Sequence, residues 1–187
     1  RVGEDHPLQI LVNIESPRDL DLFSKEIVEG VGLFRTEFAY MERANFPTAQ
    51  EQEELYKGIS KHFGDASVVF RTLDVGNDKQ LRYFQMPHEN NPAMGWRGLR
   101  MSLQWQDILL MQIQALVKAR EYGDVRMLLP MVTNVEEVRQ VKRLIEQVAG
   151  RADALPLGAM IEVPSAAMAL KDIMDEVDFL SVGTNDL

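Results

Sequence analysis

One pattern recurs along the whole chain and most narrows what it can fold into: a short apolar run ends at a polar or charged residue and passes into an amphipathic stretch. Residues 8–14 alternate as a strand, and 19–29 follow with Leu20, Phe23, Ile27 and Val28 at helical spacing. Further runs cover 31–34, ending at Arg35, and 67–70, ending at Arg71. Residues 95–97 form a short strand candidate, and 125–131, 157–163 and 179–182 complete the set. Between them, Thr48 with Glu51 three residues on reads as a capping box opening a helix to about Phe63. Helices are also expected over 107–121, 135–148 and 165–174.

Strand–helix alternation of this kind calls for a parallel sheet, because parallel neighbours need a crossover between them. Two closures compete. A doubly wound open sheet usually carries a glycine-rich phosphate loop after its first strand. That position here reads Asn13-Ile14-Glu15-Ser16-Pro17, without glycine. A barrel instead gathers functional residues from the ends of many strands. Arg35, Arg71, Arg97, Glu162 and Asp186 each follow a strand candidate, so the expectation is a TIM-type (β/α)8 barrel. With about seven strands, it would be a single domain over residues 1–187, truncated before its last strand. Arg1 and Leu187 read as cut ends.

The 45% hydrophobic content suits a chain of 187 residues with a real core and excludes a disordered or low-complexity reading. No apolar run approaches the ~20 residues of a membrane span. The formal charge of −9 disfavours a broad nucleic-acid surface. An anionic ligand would therefore need a local cation cluster working against the overall field. The absence of cysteine excludes disulfides, thiolate nucleophiles and cysteine zinc sites, and suits a reducing cytoplasm.

An arginine just beyond an apolar run lies at the rim of a sheet, where its fork grips a carboxylate or phosphate at two points. Arg35, Arg71 and Arg97 would converge on one barrel mouth as an anion site; alternatively they form unrelated ion pairs, with Glu37 and Asp74 as the nearest partners. Glu162 and Asp186 end buried-looking runs, and two such acids suit Mg²⁺, which fills its remaining octahedral positions with water and substrate oxygens. They too have an alternative, pairing with the arginines. Lys79 lies in the turn-rich stretch 74–79 and is either a phosphate contact or a solvated lysine. Trp96 reads as packing or a cation–π neighbour of Arg97, the histidines as surface residues, and the methionines as core filler.

These residues carry a family resemblance. The blocks are Glu29-Gly-Val-Gly-Leu-Phe-Arg-Thr-Glu-Phe38, Phe70-Arg-Thr-Leu-Asp-Val-Gly-Asn-Asp-Lys79, Glu89-Asn-Asn-Pro-Ala-Met-Gly-Trp-Arg97, Leu129-Pro-Met131, Glu162-Val-Pro164 and Gly183-Thr-Asn-Asp-Leu187. In that order they resemble the C-terminal phosphoenolpyruvate-binding domain of the Enzyme I family, the phosphoenolpyruvate–protein phosphotransferases. The resemblance implies that Arg35, Arg71 and Arg97 hold the phosphate and carboxylate of phosphoenolpyruvate. It makes Glu162 and Asp186 the Mg²⁺ ligands and puts Asn185 at the phosphate. Arg-Thr-Leu-Asp-Val-Gly and Leu-Leu-Pro-Met-Val-Thr look most like the nitrogen-related branch, although Arg82 stands where the family usually has proline.

The family chemistry implied is phosphoryl transfer to a histidine of a separate N-terminal domain. The group then passes to HPr or a nitrogen-branch homologue, with pyruvate as product. A cysteine proton donor and a further phosphate-binding arginine are expected beyond Leu187, so this stretch alone is expected to be inactive. A cytoplasmic homodimer, with no nucleic-acid or membrane partner, is also implied. Pyruvate phosphate dikinase and phosphoenolpyruvate synthase share the fold, and a non-catalytic module that binds phosphoenolpyruvate or dimerises is a further alternative.

Overall fold

In the computed structural model, residues 8–23, 28–41, 43–76, 81–88, 90–91 and 94–183 are described. Six strands are formed: β1 (Val12–Ile14), β2 (Val31–Arg35), β3 (Val68–Arg71), β4 (Val125–Leu129), β5 (Leu157–Ile161) and β6 (Phe179–Val182). They pair in chain order, and every adjacent pair is parallel. A doubly wound sheet would reverse its strand order partway. No reversal occurs among the described residues; the result is an α/β fold whose parallel sheet curls as a half-barrel.

The two faces of the sheet follow from the two-residue period of a strand. Ile14, Phe34, Phe70, Met127, Leu129, Ala159 and Ile161 face one side and share the main apolar core with the helices. Those helices are α2 (Ala49–Phe63), α4 (Gln106–Ala119) and α5 (Val135–Ala149), which contribute Ile59, Ile113 and Val141 among others. The alternate positions Leu33, Val69, Leu128 and Met160 gather with Phe179 in a smaller cluster on the concave side. Helices on one face and a small side-chain layer on the other are what a barrel wall requires.

Local sequence explains most elements. Thr48 caps α2, with its side chain accepting from the Glu51 N–H and the Glu51 carboxylate accepting in return. The hydrogen bond from Arg43, then those from Thr48, hold the Glu51 carboxyl down at about 2. Asn134 and Glu137 form the same box at the start of α5, which Gly150 closes at φ 77°.

Three expectations are corrected. Residues 95–97 form no strand: Arg97 is the N-cap of α3 (Gly98–Gln104), and Arg100 donates to the carbonyls of Met94 and Gly95, turning the chain there. The sheet therefore has six strands among the described residues rather than seven. The helix expected over 19–29 is a 3₁₀ turn, Pro17–Leu22, capped by Ser16, with Phe23 already extended; residues 24–27 lie outside the described set. The helix expected over 165–174 is two pieces, α6 (Pro164–Met168) and α7 (Leu170–Met174). Ala169 departs to φ −93°, ψ 13°, yet its N–H still reaches Ser165 and its carbonyl accepts from Ile173. A short helix, α1 (Glu37–Met41), was not anticipated. No helix among the described residues is long and apolar enough to cross a membrane.

On the concave side, the Phe179 ring covers Gly158 so closely that a Cβ there would lie 2.3 Å from Cε2. Gly158→Ala is expected to cost about 1–3 kcal/mol through overpacking. Adding Phe179→Leu should recover most of that loss, as read from urea unfolding midpoints.

Candidate functional site

The side-chain alternation that sorts the core also selects the rim. Two residues beyond Leu33, Val69 and Met160 on the concave face stand Arg35, Arg71 and Glu162, at or just past the C-terminal ends of β2, β3 and β5. Arg35 and Arg71 are register partners. The strand ends thus carry three of the sequence-derived residues to one mouth.

Arg71 is buried and bound on two sides, to Glu37 on α1 at 2.5 Å and to Asp74 at 3.0 Å. Arg97 arrives by a different route, from the start of α3. Its Nε and Nη2 donate to Oδ1 of the same Asp74 at 3.1 and 3.0 Å. Asp74 therefore lies between two buried guanidinium groups, one oxygen toward each. Two like charges this close are tolerable only with an anion between them. Arg35 is held apart by Glu15, at 2.7 Å and about one-third exposed. The buried Nε atoms of Arg35 and Arg71 have no hydrogen-bond partner among the described residues. Leaving such donors unmet costs roughly 1–3 kcal/mol each.

Glu162 is 4% exposed and accepts the Met131 N–H at 2.7 Å. Met131 lies at φ 56°, the positive-φ residue among the described non-glycines. That backbone turn aims the Met131 amide at the Glu162 carboxylate just past the end of β5. For a methionine that conformation costs about 1–3 kcal/mol. Gly98, at φ 53°, joins the two halves of the site: a Cβ there would lie 3.0 Å from Met131 Cγ and 3.1 Å from Asp74 Oδ1. Gly183 closes on the other side, where a Cβ would lie 3.0 Å from Glu162 Oε2.

Arg35, Arg71, Arg97 and Glu162 thus share one rim, and Glu37 and Asp74 are indeed partners of the arginines. Lys79, Asn185 and Asp186 lie outside the described residues. Among the described residues no three His, Asp, Glu or Cys side chains form a metal-suited cluster. Sequence reasoning missed Met131, which it placed inside a strand; Pro130 was the signal that the ladder had ended. It also missed Gly98 and the Glu15 partner. Trp96 packs with the satellite aromatic cluster, stacking on Phe84 and donating to Gln104. A cavity of about 380 Å³ lined by Phe34, Phe38 and Leu55 lies on the helix side of β2 and meets the rim at Glu15.

Comparison with known proteins adds a finding. Residues 1–187 match the family described as "PEP-utilising enzyme, PEP-binding domain". Relatives named phosphoenolpyruvate-protein phosphotransferase include one from Mycoplasma pneumoniae, 40% identical over 98% of this chain and 33% of the relative. Another, from Staphylococcus carnosus, is 42% identical over 99% of this chain and 34% of the relative. One from Haemophilus influenzae is 39% identical over 98% and 33%. The chain spans about one third of the length of these curated relatives.

Asp74→Leu is expected to lower stability by about 3–5 kcal/mol, because it strips a buried pair of guanidiniums of their shared counter-charge. Arg151→Ala, at an exposed pair with Asp153, should leave the unfolding midpoint in urea unchanged.

Proposed function

The chain belongs to the family of PEP-utilising enzyme, PEP-binding domains, and from that premise we propose that it is the phosphoenolpyruvate-binding catalytic domain of an Enzyme I-type phosphotransferase. The observation that carries the reading is the Asp74-bridged pair of buried arginines on the rim it shares with Arg35 and Glu162. Arg35, Arg71 and Arg97 take the phosphate and carboxylate of the substrate, with Asn185 and Lys79 completing the phosphate contacts.

Charge decides what else is needed. Three guanidinium groups pair with the carboxylates of Glu15, Glu37 and Asp74, and Glu162 adds a fourth carboxylate held by the Met131 N–H, so this described set is negative by one. A highly charged anion would not settle there without further positive charge. The donors present suit a hard cation: Glu162 is a buried carboxylate at the rim, and Asp186 follows it three residues beyond Gly183 in sequence. Magnesium, when bound, supplies charge neutralisation across phosphate and carboxylate oxygens and favours departure of the enolate of pyruvate. Glu162 and Asp186 are the residues proposed to hold it.

Phosphoryl transfer spreads negative charge over the phosphoryl oxygens, and preorganised donors stabilise that charge without reorganising. Arg71 is preorganised by Glu37 and Asp74, and Arg97 by Asp74. The acceptor is a histidine of a separate N-terminal domain, which hands the group to HPr or its nitrogen-branch homologue; protonation of the enolate at carbon gives pyruvate. The residue blocks favour the nitrogen-related branch. The half-barrel is read as part of a (β/α)8 barrel forming one domain over residues 1–187, in a cytoplasmic homodimer.

In the full-length protein, Arg71→Ala should lower phosphotransfer by ~10²-fold or more; a wild-type rate removes Arg71 from the mechanism. Glu162→Gln with Asp186→Asn should abolish the Mg²⁺ dependence of activity, and an unchanged Mg²⁺ titration refutes the ligand assignment.

A further inference from the structure

Behind the arginine rim lies a buried polar group that the reading above does not use. Helix α4 presents Leu109, Ile113 and Leu116 to the core at helical spacing, and Gln112 sits within that apolar stripe, fully buried. Its partners come from distant parts of the chain. Oε1 accepts the Leu73 N–H at 2.9 Å. Because a backbone N–H only donates, this fixes the amide orientation and points the Nε2 group the other way. Nε2 then donates to the Thr36 hydroxyl at 3.3 Å and to the Tyr56 hydroxyl at 3.4 Å. The Thr36 hydroxyl passes the contact on, donating to the carbonyl of Arg71 at 2.8 Å. Tyr56 in turn donates to Gln52, which also accepts from Tyr40. Burial pushes both phenols up, so they remain donors.

One amide thus grips the backbone on both sides of Thr72, just beyond the Arg71 side chain, directly at the Leu73 N–H and through Thr36 at the Arg71 carbonyl. Thr36 also follows Arg35, so the same relay ties the end of β2 to the end of β3. Asp74 is the next residue after Leu73, and its placement between Arg71 and Arg97 depends on where that backbone runs. Removing the amide alone would leave the buried Leu73 N–H without an acceptor, so the amide fastens the backbone on which Asp74 is carried. Its geometry is that of a support for the rim.

We infer that Gln112, acting through Thr36 and Leu73, is a positioning residue that sets the Arg71–Asp74–Arg97 array for phosphoenolpyruvate. The inference rests on the substrate reading above. The test uses the full-length protein with phosphoenolpyruvate and Mg²⁺, comparing Gln112→Met, Thr36→Val, the double variant and Arg71→Ala. Rates are normalised to the folded fraction by circular dichroism. Gln112→Met is expected to lower kcat/KM on the order of 10²-fold, as for displaced catalytic geometry. Roughly tenfold of that should appear in kcat, where loss of contacts to developing charge shows. Thr36→Val should lose in the same direction, and the double variant should be no worse than the poorer single variant, because both break one relay. An unchanged kcat in Gln112→Met, or losses that multiply in the double variant, overturns the inference. Should Gln112→Met fail to fold, Thr36→Val alone decides, and wild-type kcat there overturns it. If Arg71→Ala also keeps its rate, the substrate reading falls with it; if Arg71→Ala is crippled while Gln112→Met is not, the positioning role alone falls.

Discussion

The carboxylate of Asp74, with one oxygen toward Arg71 and the other toward Arg97, is the interaction around which the mouth of the sheet is arranged. Buried charges are expensive, and each guanidinium here exists only because a counter-charge was brought to it from elsewhere in the chain. Glu37 comes from the helix after β2, Asp74 from the segment after β3, and Arg97 from the start of α3. An array assembled from three connections holds its shape only if the strand ends beneath it are fixed. Parallel register supplies that fixity, since Arg35 and Arg71 are direct partners.

The strained backbone position among the described non-glycine residues, Met131, lies at the same place. Met131 and Gly98 both lie at positive φ, and they meet each other between the arginine pair and Glu162. Neither conformation helps the fold as such. Met131 turns its N–H to a buried carboxylate that would otherwise lack that donor, and Gly98 lets the α3 start approach Asp74 without a side chain intervening. The cationic and anionic halves of the rim are therefore fastened to one another rather than merely neighbours.

How much of this was legible in the sequence depends on the range of the interaction. The box of Thr48 with Glu51 involves residues three apart, and it could be read directly. Arg35 and Arg71 were placed at strand ends because apolar runs stop there, and Glu37 and Asp74 were recognised as available partners. Arg97 was found for the wrong local reason: it starts a helix, and α3 rather than a strand carries it to Asp74. Pro130 marked the end of β4, but what Met131 and Gln112 hold could not be read, because it is defined by partners 31, 39 and 76 residues away. A glutamine in an amphipathic helix looks like any surface residue until its neighbours are known. Residues 77–80 and 184–187 hold Lys79, Asn185 and Asp186 outside the described set, so for them the motif remains the guide.

The division of each strand into a helix-facing and a concave-facing set has a consequence for how such chains can change length over time. Deleting or inserting one residue within β3 or β5 would rotate every later side chain in that strand to the opposite face, whereas β2 already carries a register shift between Val31 and Phe34. Arg71 or Glu162 would then point into the apolar layer under the helices. Growth and loss of residues in descendants of this sequence are therefore tolerated in the connections, with β3 and β5 acting as fixed-length rulers beneath the mouth.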